Sequence, residues 1–133
     1  MESKDKDLKS IESKDLAILA ARAMDNRRGT KITVLKLEDL TTITDYFVVG
    51  TGSSRAQTQA MADNIDDELS LEGVRPNRIE GLQEGRWILM DYGSVIVHIF
   101  QEDERNFYSL ERLWADAPAL AFEEVFPGKQ SED

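Results

Sequence analysis

The apolar pattern predicts an α/β fold, a single domain built on a mixed β-sheet with helices on both faces. Three observations lead there. Three stretches carry apolar residues at helical spacing. The segment Asp45–Thr51 is apolar on successive residues rather than alternating ones, as in a strand buried on both sides. Arg86–Asp91 and Ser94–Phe100 read as two strands joined through Tyr92-Gly93, where glycine supplies a positive φ. The 133-residue length and 41% hydrophobic content suffice for one core.

Residues 1–12 are polar, mixed in charge and without hydrophobic period, so they read as a flexible lead-in to a domain spanning 13–117. A helix starts near Ser13. Its residues Leu16, Leu19, Ala20, Ala23 and Met24 form one face, and Asn26-Arg27-Arg28-Gly29 supplies cationic and glycine stop signals. Lys31–Leu37 is a short strand, followed by a loop from Glu38 to Thr42 and by the strand Asp45–Thr51. Ser54 is suited to cap a second helix that runs to about Glu72, with Ala56, Ala60, Met61, Ile65 and Leu69 inward and Gly73 ending it. Pro76 interrupts the run Val74–Ile79, which makes it an edge or irregular strand. A loop from Glu80 to Gly85 leads into the hairpin. Asp103 or Glu104 then opens a last helix carrying Phe107, Leu110, Leu113 and Trp114, which ends at Pro118. Residues 118–133 read as an acidic tail with Phe122, Val125 and Phe126 as docking residues. The order is α-β-β-α-β-β-β-α.

Composition excludes several chemistries. The chain has no cysteine and one histidine, His98, so neither disulfides nor a zinc cluster of customary ligands can form, and no cofactor is expected. No run approaches the roughly 18 apolar residues of a membrane span, and Met1–Asp7 holds no apolar stretch that would serve as a signal peptide, so a cytoplasmic protein without membrane contact is expected. Acidic residues outnumber basic ones by 26 to 16, a net charge of −10. That balance disfavours binding to free nucleic acid and suits a basic protein partner, although solubility accounts for the same number.

Gly50-Thr51-Gly52-Ser53-Ser54 lies where a strand meets a helix, a place where backbone N–H groups can cradle phosphate. It lacks the lysine of a P-loop, and Arg55 stands where a dinucleotide fingerprint needs its third glycine, so a tight turn with a helix cap is the simpler account. A nucleotidyltransferase would need carboxylates on the following strand to hold metal; the nearest cluster, Asp63, Asp66 and Asp67, falls on a helix and reads as a solvated face. His98 alternates with Ile96 and Phe100 on one side of a strand with no nucleophile arranged around it, as a hydrogen-bonded core histidine would. Along the first hairpin strand Trp87, Leu89 and Asp91 share one side, and Ile88, Met90 and Tyr92 the other. Both sides cannot be wholly core near a hairpin tip, and aromatics with exposed edges there suit a protein partner, with ordinary core as the alternative.

The stretches Thr44–Arg55, Gly85–Phe100 and Arg105–Ala117 resemble, in order and spacing, three blocks of the ribosomal silencing factor (RsfS, or Iojap) family, and the likeness covers about Ser13 to Ala117. The resemblance implies a fold similar to nucleotidyltransferases without their catalytic carboxylates, and no enzymatic activity. It further implies binding to the large ribosomal subunit through the ribosomal protein numbered fourteen in the universal scheme, on the face where the small subunit joins. Translation is thereby repressed, or late assembly assisted. Carried over by position, the contact surface centres on Trp87, Met90, Asp91 and Tyr92, with Glu80 and Gly81 beside it. The family often has an acidic residue where Ser94 stands, so one electrostatic contact is not carried over. Self-association as a homodimer is also implied. A degenerate nucleotide-binding protein and a general acidic adaptor are the rival classes.

Overall fold

The structure, a computed structural model, describes residues 11–108 and 115–129. Its elements are α1 (Ser13–Asn26), β1 (Thr30–Lys36), β2 (Tyr46–Gly52), α2 (Arg55–Ser70), β3 (Arg78–Glu80), β4 (Trp87–Asp91), β5 (Val95–Gln101), α3 (Glu102–Tyr108) and α4 (Phe122–Val125). The five strands form one mixed sheet in the order β1-β2-β5-β4-β3. Only β2 and β5 run parallel, which obliges the chain to cross over between them, and α2 lies in that crossover. The remaining neighbours are antiparallel, and Pro76 leaves β3 three residues long at the sheet edge.

α1 and α2 cover one face. Beneath them lie Tyr46 and Val48 of β2, Val95, Val97 and Ile99 of β5, and Ile88 and Met90 of β4. The helices sit so close to β2 that a Cβ on Gly50 would fall 2.3 Å from Met24 Sδ, and one on Gly52 would fall 2.9 Å from Thr58 Cγ2. These glycines therefore serve packing. On α2 the inward residues are Thr58, Met61, Ala62, Asn64, Ile65 and Leu69, while Ala56 is exposed and Ala60 only partly covered, a correction to the expected face. Two polar side chains turn inward because the backbone offers them partners. Thr58 Oγ1 donates to Gly85 O at 2.7 Å and Asn64 Nδ2 donates to Ala23 O at 2.9 Å.

The opposite face carries Phe47, Val49, Trp87, His98 and Phe100. α3 begins at its rim. The Arg105 guanidinium donates to Thr51 Oγ1 at 2.9 Å and to the Lys31 carbonyl, and burial lowers its pKa to about 10. The expected helix residues Leu110, Leu113 and Trp114, like the side chain of Phe107, lie outside the described residues.

The segment read as a tail packs closely over its described part. Lys36 N donates to Pro118 O and Leu120 N to Val34 O, each at 2.9 Å, which covers part of the outer edge of β1. Val125 and Phe126 are buried beside α1, and Arg22 Nε holds Val125 O at 2.8 Å. Lys129 Nζ reaches Asp25 at 2.5 Å, and Lys14 pairs with Glu124. Of the three expected docking residues, only Phe122 stays exposed.

Candidate functional site

The hairpin of β4 and β5 sorts Trp87, Met90, Asp91 and Tyr92 by strand phase. Trp87 stands opposite Phe100, Leu89 opposite His98, and Asp91 opposite Ile96, and these three cross-strand pairs lie on the face away from α1 and α2. Trp87 is half-buried. Its Nε1 donates to His98 Nδ1 at 3.1 Å, and its ring centroid lies 5.0 Å from that of Phe100. Phe47 meets the His98 ring edge-on at 4.7 Å. Burial pushes the His98 pKa down to about 4, so at neutral pH the imidazole is uncharged and Nδ1 can accept from the indole. Packed between aromatic rings and hydrogen-bonded to the indole, this histidine supports the sheet.

Beside Trp87 runs the turn after β3. Gly81 has φ +78°, and a Cβ there would lie 2.2 Å from the Trp87 carbonyl oxygen, so only glycine lets this turn rest on β4. Glu80 is exposed and pairs across the strands with Leu89. Arg78 Nε lies 3.3 Å from Glu80 Oε2 and 3.5 Å from Asp91 Oδ2. Asp91 Oδ1 also accepts from Gly93 N at 2.8 Å, which fixes the tip where Gly93 adopts φ +83°. Glu80, Gly81, Trp87 and Asp91 are thus brought together along the β3–β4 edge.

Met90 and Tyr92 are not. Met90 is fully buried under the helices, and Tyr92 is 9% exposed, because both continue the core-facing phase set by Ile88. The exposed aromatic edge anticipated at Tyr92 is corrected accordingly. Burial, then the charge of Asp66, raises its hydroxyl pKa, with Arg75 acting the other way. Leu89 was missed. It lies half-buried between Trp87 and Asp91, and period-two counting from Trp87 is the signal that places it there.

The Gly50–Ser54 loop is fastened to the first turn of α2. Ser54 Oγ accepts from Gln57 N at 3.1 Å, while Ser53 N and Oγ donate to Gln57 Oε1 at 2.7 and 2.9 Å. Among the described residues no group of three or more histidines or carboxylates is placed to hold a metal ion, and no helix is long and apolar enough to cross a membrane.

The fold defines a small α/β protein built on one five-stranded mixed sheet with two long helices packed on one face. The family model described as "Ribosomal silencing factor during starvation" matches residues 10–133. The chain is 41% identical to the ribosomal silencing factor of Bacillus subtilis, an alignment covering 81% of this chain and 92% of the relative. A relative of the same name from Halalkalibacterium halodurans is 36% identical, with coverage of 86% and 98%. A crystal structure of a Chromobacterium violaceum protein superposes with TM-score 0.77 at 32% identity, covering 79% of this chain and 88% of that one. The chain belongs to the ribosomal silencing factor family, whose members are non-enzymatic factors that bind the large ribosomal subunit.

Proposed function

We propose that this protein docks on the large ribosomal subunit at the face where the small subunit joins, through the universal large-subunit protein fourteen, and represses translation by occupying that face. The family match across residues 10–133 carries the reading. The β3–β4 edge supplies the contact surface: Trp87 and Leu89 give apolar area, while Glu80 and Asp91 suit a basic ribosomal protein. Met90 and Tyr92 hold this edge from beneath, in the core. Occlusion needs no chemistry, only a surface that fills the face. A role in assembling the subunit is the second reading. A mouse relative named for mitochondrial assembly of the large ribosomal subunit is 34% identical over 74 residues, although this chain covers only 32% of its length.

Sedimentation of the pure protein with separated subunits tests the proposal. It should migrate with large subunits and not with small ones. Trp87→Ala, with native circular dichroism retained, should weaken that binding by about 2 kcal/mol, as loss of an aromatic anchor commonly does. Wild-type affinity in a folded Trp87→Ala protein would move the contact elsewhere, and migration with neither subunit would end the reading.

A further inference from the structure

In a chain of net charge −10, three arginines that make no ion pair among the described residues gather at one end of the domain. Arg27 and Arg28 follow α1, Arg55 opens α2, and all three are exposed. Gln57 ties these segments together. Its Nε2 donates to Arg27 O at 3.0 Å and Arg28 O at 2.9 Å, while its Oε1 holds Ser53. Arg55 packs against Gly85, where a Cβ would come within 2.6 Å of Arg55 Cγ, and Arg86 is the next residue of the chain. Lys31 and Arg86 share this end but already face carboxylates, Glu102 at 3.5 Å and Glu104 at 3.6 Å.

We infer that this arginine corner is a second contact surface, which grips the phosphodiester backbone of RNA in the large ribosomal subunit. The inference rests on the proposed binding to that subunit. Guanidinium groups present planar pairs of donors matched to phosphate oxygens, and these three carry no competing carboxylate. The net charge of −10 repels a polyanion from the molecule as a whole, so the grip has to be local. Its position supplies the second argument. Gly85 and Arg86 lead directly into Trp87, so the corner adjoins the proposed protein-contact edge, and a subunit made of RNA and protein can meet both at once. An acidic protein segment is the competing partner.

The chain contains no cysteine, so a single introduced one can carry an iron chelate that cleaves nearby RNA. Arg27→Cys places it at the corner. Leu71→Cys, at the far end of α2 and 79% exposed, is the reference position. With each labelled protein bound to large subunits, position 27 should cut the RNA in one or two neighbouring stretches that position 71 leaves intact. In parallel, the triple variant Arg27→Gln, Arg28→Gln, Arg55→Gln should bind more weakly. Its plot of log Kd against log salt should be shallower by about 2, since each lost phosphate contact removes about 0.7–0.9. Two results would overturn the inference: absence of cleavage from position 27 in protein that co-migrates with the subunit, or an unchanged salt slope. Weaker binding of the triple variant without RNA cleavage would assign the corner to an acidic protein instead. Failure of unmodified protein to co-migrate would remove the parent proposal, and this one with it.

Discussion

The imidazole of His98 is 4% exposed and accepts a hydrogen bond from Trp87, so folding holds it neutral. Its folded pKa of about 4 lies below the ordinary 6.5 of an unfolded chain. The stabilising effect of keeping it uncharged is therefore fully present above pH 6.5 and is lost as the pH falls toward 4, where the unfolded state takes up a proton that the folded state refuses. The loss should be on the order of 3 kcal/mol across that window. Carboxylates titrate in the same range, so the informative quantity is a difference. In urea unfolding at pH 7 and pH 4.5, wild type should lose more stability than His98→Gln, which keeps an acceptor for Trp87 but no titrating ring. Equal losses would show that His98 does not set the response. The burial of His98 was legible from its alternation with Ile96 and Phe100. Its bond to Trp87 was not, because cross-strand register depends on the turn and cannot be counted along one strand.

Among the elements, strands and the long helices were readable because their periods are strong, and the errors fall where polar residues turn inward or short segments dock. Thr58 and Asn64 break the apolar stripe of α2 for the sake of the Gly85 and Ala23 carbonyls, partners that no periodicity announces. α1 ends at Asn26, where its cationic and glycine stop signals begin, yet Arg28 and not Gly29 takes the left-handed conformation, with φ 65°. Gly29 is required instead for close approach, since a Cβ there would meet Met61 Cε at 2.6 Å. The segment from Pro118 to Lys129 has too few apolar residues to show a period, although it covers part of the β1 edge and packs beside α1. If that docking is structural, Phe126→Ala should cost about 3 kcal/mol in urea unfolding, as loss of a buried phenylalanine does. Phe122→Ala, a neighbour 38% exposed, should cost less than about 1 kcal/mol. Equal and small effects would make the segment a dispensable appendage.

At the scale of the whole molecule, charge has two parts: an acidic majority that suits a basic protein partner and one arginine corner of opposite sign. Of the residues expected at the contact surface, Glu80, Gly81, Trp87 and Asp91 lie together along the β3–β4 edge. Met90 and Tyr92 fall inside because strand phase, and not nearness in sequence, decides which side chains a hairpin presents. The central claim is that this protein silences by filling a face of the large subunit, and that claim is stoichiometric. Subunit joining followed by light scattering, with the protein added at falling ratios to a fixed amount of large subunits, tests it directly. Occlusion predicts inhibition that grows in proportion to the fraction of large subunits occupied, reverses on dilution, and weakens when small subunits are supplied first in excess. Full inhibition by a few molecules per hundred large subunits, persisting after the protein is removed, would contradict it.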